Sequence, residues 1–172
     1  MRGHARGLVT EVLTMTLHPK AAALAAVLLV GACVGPEWAP ESARPAYLAD
    51  AAERVAAADW SQARTVEVRL DEYAFAPSEL AFPAGQPVRL RLVNGGNVLH
   101  TFGAPEFFQA VAVRRLVGRE GARPAPYLVS IRVAPGESKE LEFVPVTPGA
   151  YRLRCTVVGH ALLGMTGRVR IE

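Results

Sequence analysis

From Thr65 to the C-terminus, apolar and charged residues alternate in short runs, and this period of two constrains the fold more than any other feature of the chain. Val66, Val68 and Leu70 are separated by Glu67 and Arg69, and residues 88–93, 129–133, 141–144, 151–155 and 168–171 repeat the pattern. Successive side chains of a strand point to opposite faces, so each run reads as a strand with one face buried. Pro83-Ala84-Gly85, Asn94-Gly95-Gly96-Asn97, Pro135-Gly136 and Pro148-Gly149 separate the runs with turn chemistry. Short strands with spaced turns imply an all-β domain, an antiparallel β-sandwich over residues 65–172. Residues 104–130 interrupt the alternation. Pro105-Glu106 suits a first helical turn and Arg114-Arg115 a last one, with Phe107, Phe108 and Val111 as the apolar side and Gly118 beyond. An inserted helix is expected there, followed by a basic, Pro-containing loop (Arg119, Arg123, Pro124, Pro126).

The chain ahead of this domain has a different texture. Residues 21–32, AAALAAVLLVGA, form an apolar run behind Lys20. About a dozen residues suit the core of a signal peptide and fall short of the roughly 20 that span a bilayer. The run ends Leu29-Val30-Gly31-Ala32-Cys33, which resembles a bacterial lipobox. That implies a leader over 1–33, lipid modification of Cys33 and a product exported to the membrane surface at the cell envelope, on the periplasmic side. A start at Met15 would give the leader an ordinary short n-region. Residues 34–64 read as a tether: 34–46 are rich in Pro and polar residues, and 46–59 place Leu48, Ala51, Ala52 and Val55 at the spacing of a short amphipathic helix. The formal charge is +3, but Arg2, Arg6, Lys20 and Glu11 lie in the leader. Residues 34–172 keep 16 of the 19 Lys and Arg and 15 of the 16 Asp and Glu, a balance of +1 that gives no reason to expect nucleic acid.

Histidine is the scarce resource. Of the four, His4 and His18 precede the apolar run, leaving His100 and His160. Two imidazoles rule out polynuclear copper centres and three-histidine zinc sites. The C-terminal segment reads Cys155-Thr-Val-Val-Gly159-His160-Ala-Leu-Leu-Gly164-Met165-Thr-Gly167, so thiol, imidazole and thioether recur at five-residue steps among glycines. Glycines permit the tight turning that brings such residues to one point. His100, after the turn at 94–97, is the second available imidazole. Thiolate and thioether are soft and imidazole suits late first-row metals; two His and a Cys with a weak axial Met make a copper electron-transfer site. The loop has no acidic residue and no spare ligand for a substrate water, which argues against Lewis-acid catalysis. A Cys155/His160 nucleophilic pair lacks an orienting acid, because the next one after Arg152 is Glu172.

The segment resembles the copper loop of the cupredoxins, with the C-x4-H-x4-M spacing of rusticyanin-like members. Residues 72–77 (EYAFAP), 83–88 (PAGQPV) and 94–100 (NGGNVLH) are similar to that family's first strands and first ligand, and Pro135–Ser138 and Pro148–Tyr151 to its later turns. The resemblance implies a cupredoxin-like Greek-key β-sandwich with strong copper ligands at His100, Cys155 and His160 and an axial ligand at Met165. It also implies one mononuclear type 1 copper ion and a one-electron carrier serving redox partner proteins at the envelope, not an enzyme. A copper carrier or assembly factor is the alternative from another class. Two departures stand out: the 104–130 insertion is absent from the smallest family members, and Thr101 replaces the Asn of plastocyanin- and azurin-like proteins. Val157, Val158, Ala161, Leu162 and Leu163 flank His160, some as core and the rest as an apolar docking rim.

Overall fold

The alternating runs form strands in the computed structural model, which describes residues 34–172; the leader and Cys33 lie outside the described residues. In chain order these are β1 (Arg64–Asp71), β2 (Ala74–Ala76), β3 (Glu79–Phe82), β4 (Val88–Asn94), β5 (His100–Gly103), β6 (Val111–Gly118), β7 (Gly121–Arg123), β8 (Ser130–Val133), β9 (Ser138–Pro145), β10 (Gly149–Arg154) and β11 (Thr166–Ile171). They make two sheets, one ordered β2-β1-β4-β9-β6-β7 and the other β3-β11-β10-β5-β8. Most neighbours are antiparallel, as expected. The exceptions are β1 with β4 and β3 with β11, which run parallel because each pair is joined through the opposite sheet rather than by a hairpin.

The apolar half of each alternation meets in the core. Val68, Leu70, Leu90, Leu92, Leu141 and Phe143 from one sheet face Phe82, Phe102, Ile131, Leu153, Val169 and Ile171 from the other, all buried. At about 25 cal/mol per Å² of apolar surface, burying each large side chain contributes roughly 1.5–3 kcal/mol, the main drive for closing the sandwich.

The insertion differs from expectation. Its helix covers only Pro105–Gln109, and Arg114-Arg115 lie in β6 rather than in a last helical turn. Short as it is, the helix drives Phe107 and Phe108 fully into the core, with Phe107 at 5.4 Å from Phe143, edge to face. From Val111 on, β-branched residues favour a strand, and β6 pairs with β9 through a bulge between Val113 and Arg115. The basic loop after it begins as a hairpin, since β7 returns along β6.

Residues 34–64, read as a tether from composition, are hydrogen-bonded to the sandwich. The Val129 N–H donates to the Glu37 carbonyl at 2.8 Å, the Ser130 hydroxyl to the Pro36 carbonyl at 2.7 Å and the Arg132 N–H to the Glu37 carboxylate at 2.9 Å. This segment thereby covers the β8 edge of the second sheet, where unpaired backbone would otherwise invite another strand. Farther on, α1 (Ala51–Ala57) is shorter than the Ala-rich stretch that suggested it and leans on β6; Leu48 and Ala51 share a small hollow with Val111 and Val113. Among the described residues no helix is long and apolar enough to cross a membrane.

Candidate metal centre

Two distant stretches of chain converge at one end of the sandwich. Asn94, the last residue of β4, is buried and its amide is fully used: Nδ2 donates to the carbonyls of Val98 and Val133, both at 2.8 Å, and Oδ1 accepts from the Gly96 N–H at 2.9 Å. That staple sets the turn from which His100 opens β5.

The other stretch is the β10–β11 connection. The Cys155 N–H donates to the Met165 carbonyl and the Met165 N–H to the His160 carbonyl, each at 3.0 Å, so the loop is closed on itself by its own backbone. Gly159 and Gly164 take the φ of +85° and +105° that this closure demands, a region costly for any residue with a Cβ. Gly167, grouped with them in the sequence, serves differently: a Cβ there would run into the carbonyl of Ser78.

The donor atoms of His100, Cys155 and His160 lie within 4.8 Å of one another, all three residues buried. Cys155 Sγ is 3.5 Å from His160 Nδ1. Both ring nitrogens of His100 lack a hydrogen-bond partner among the described residues. Buried polar atoms are ordinarily satisfied, so an imidazole left in this state beside a thiol suits a missing ligand. Burial, and for His100 also the neighbouring His160, holds both imidazoles below their ordinary pKa. Both rings are therefore neutral near pH 7, the form that binds a metal. A thiolate and two imidazoles in this space are the donor set of a mononuclear copper ion. Met165 is wholly buried, directly following the glycine that turns the loop back.

Thr101, the departure noted in the sequence, turns its backbone N–H toward Cys155 Sγ at 3.4 Å. Its hydroxyl accepts the Thr156 N–H at 2.6 Å and lies 3.0 Å from the Thr156 hydroxyl. Thr101 thus ties β5 to the cysteine's own backbone.

The surroundings differ on the two sides. His100 is 0% exposed, whereas His160 is 8% exposed. Around His160 stand Val158, Leu162 and Leu163, at 74%, 93% and 62% exposure, while Val157 packs against the core. The Tyr73 ring meets His160 edge to face at 4.8 Å, a neighbour without a mark in the pattern of residues because only the β1–β2 connection brings it there. Arg114 and Arg115, expected in a last helical turn, are ion-paired with Glu142 on β9, and Arg123 of the expected basic loop stacks over Trp38 at 4.8 Å.

Comparison with known proteins agrees with this geometry. The cupredoxin-like domain family matches residues 46–165. The copper-resistant cuproprotein CopI of Rubrivivax gelatinosus is 32% identical over 114 residues, covering 63% of this chain and 67% of that protein. Auracyanin-B of Chloroflexus aurantiacus is 32% identical over 123 residues, 63% of this chain and 52% of that protein, so the chain spans about half its length. Among solved structures, a multicopper oxidase from Pseudomonas thermotolerans is similar with a TM-score of 0.54 and 16% identity, over 67% of this chain and 31% of that one, a likeness of fold alone.

Proposed function

The chain belongs to the cupredoxin-like domain family, and we propose that it is a type 1 copper protein that carries single electrons at the bacterial cell envelope. One observation carries this reading: His100, Cys155 and His160 meet in a buried site, and the loop that carries the more exposed imidazole, His160, presents exposed apolar side chains on both sides of it in the chain. When bound, copper supplies the one-electron couple. His100, Cys155 and His160 would hold it, and Met165, buried directly after Gly164, is the candidate for a fourth, weaker ligand.

The protein's task is to keep those donors still. The closed loop hydrogen bonds and the Thr101–Thr156 tie fix Cys155 and His160 in place, so little rearrangement accompanies a change of oxidation state. The Cys155–Met165 loop carries no acidic residue and no spare ligand for a substrate water, so on this reading the protein changes no substrate by itself. His160, the more exposed imidazole, is the exit for electrons, and Val158, Leu162 and Leu163 form the surface on which redox partners dock. Export and anchoring through Cys33 would keep the carrier beside membrane-bound partners.

A copper-handling role is the competing reading, favoured by the similarity to the copper-resistant cuproprotein. Purified protein loaded with Cu(II) separates the two. A carrier of electrons shows an intense thiolate-to-copper absorption band, narrow EPR hyperfine splitting and a reversible potential, and yields copper slowly to a competing chelator. Cys155→Ser abolishes the band. Colourless protein with ordinary tetragonal Cu(II) signals would refute the electron-carrier assignment, and a coloured site stripped of copper within seconds would favour handling.

A further inference from the structure

Glu72 is not among the groups that would hold the ion, yet its carboxylate lies beside one of them. It sits just after β1, and its Oε1 accepts the Asn97 N–H at 2.6 Å and the Val98 N–H at 3.2 Å. The same oxygen is 3.7 Å from His100 Nε2. The turn leaves room for it because Gly96 has no side chain: a Cβ there would collide with the Glu72 carboxylate. One oxygen therefore clamps the turn that presents the ligand and faces the ligand's own ring.

A neutral imidazole carries its proton on one nitrogen only. A carboxylate is purely an acceptor, so beside Nε2 it favours the tautomer with the proton there. The other tautomer would set a nitrogen lone pair against a negative charge at a fully buried ring. A metal needs the unprotonated nitrogen. We propose that Glu72 is a positioning residue for His100: it keeps the proton on Nε2, leaves Nδ1 free for the copper, and adds a negative charge behind the ligand that favours Cu(II) over Cu(I). This rests on the copper reading of the site. It is general metalloprotein chemistry that the far nitrogen of a ligating histidine is held by a carboxylate or carbonyl, and that removing such a partner costs about 10–100-fold in metal affinity. Here the partner is charged, so its loss falls more heavily on the doubly charged ion.

Two substitutions and one spectrum test this in the full chain. Glu72→Gln keeps an oxygen for Asn97 and Val98 and removes the charge. Cu(II) affinity should fall about tenfold relative to Cu(I), which is a rise of about 59 mV in potential, with the blue absorption band retained. Gly96→Ala keeps the charge and pushes the flexible end of Glu72 away from the ring; its potential should move in the same direction. In the wild-type apoprotein, nitrogen-15 NMR of the histidines should show the His100 proton on Nε2, which needs no variant to fold. Unchanged potentials in both variants, or a wild-type His100 protonated on Nδ1, would overturn the proposal. Wild-type protein that forms no blue centre would instead overturn the copper reading on which it rests.

Discussion

Two buried polar clusters sit in this sandwich, and they are finished to different degrees. On β9, Glu142 is 1% exposed and surrounded by cations: Arg115 donates to both its oxygens at 2.8 and 2.9 Å, Arg114 to Oε2 at 3.0 Å, and Arg89 lies at 3.6 Å. Around it, Arg114 stacks over the Trp60 ring at 4.5 Å and Arg89 donates to the Trp60 carbonyl at 3.0 Å. Every strong donor and acceptor there has a partner. At the other end, His100 is equally buried and neither of its nitrogens has a hydrogen-bond partner among the described residues, Nε2 facing the Glu72 carboxylate at 3.7 Å and Nδ1 facing none. Since an unsatisfied buried polar group costs about 1–3 kcal/mol, the first cluster is complete as structure and the second is complete only with a ligand. Burial alone does not distinguish a core polar group from a binding site; what remains unpaired does.

The largest expected effect is on the finished cluster. Glu142→Ala removes the acceptor shared by three guanidiniums and should cost about 2 kcal/mol in denaturant unfolding, discounted because the arginines are partly solvated. The copper spectrum should not move. The pH dependence follows from the direction of the shift. Burial opposes charging Glu142, but the Arg115 hydrogen bonds and the charges of Arg115, Arg114 and Arg89 prevail and hold it below the usual carboxylate range. Its contribution is therefore present above the ordinary carboxylate pKa and lost as pH falls through the lower folded value. Wild-type stability should drop in that acid window more steeply than that of Glu142→Gln. Equal slopes would mean that the cluster is not the stabilising unit its pairing suggests.

Legibility in the sequence followed the same divide between local and assembled features. The half-buried strands β1, β4, β9, β10 and β11 announce themselves by alternation, and the Cys155–Met165 loop by its spacing, because all of that information lies within a dozen residues. β5 did not, since all four of its residues are buried and a strand covered on both faces has no period. β6 reads in sequence as the end of a helix, because the consecutive Arg114 and Arg115 break the period of two; in the fold a bulge turns both to the same carboxylate. His100 stands out as the remaining imidazole and by the resemblance of residues 94–100 to the family's first ligand segment. Glu72 and Tyr73 belong to a stretch that resembles the family's first strands but carry no mark of the site, as only the β1–β2 connection brings them to it.

A smaller effect, of opposite sign, is expected at the unfinished cluster. His100→Leu replaces the unpaired nitrogens by apolar atoms of similar bulk, so the apoprotein should become about 1 kcal/mol more stable while copper binding is lost. Thermal unfolding of the metal-free protein decides it. A loss of stability would show that His100 anchors the fold without any ion, and the contrast with Glu142 would disappear.

The smallest effect on stability belongs at the rim. Leu162 is 93% exposed, so Leu162→Lys should change unfolding free energy by less than about 0.5 kcal/mol. Its effect on function should be far larger than its effect on folding. Two copies exchanging an electron through their apolar rims would bring two new ammonium groups together, and like charges across a contact oppose encounter. The self-exchange rate between Cu(I) and Cu(II) forms, read from NMR line broadening, should fall roughly tenfold, equivalent to about 1.4 kcal/mol. The fall should lessen at high salt as the charges are screened. A rate indifferent to this substitution would place the electron's exit away from His160, on a side of the site that the sandwich covers, and would leave the exposed leucines without a part in transfer.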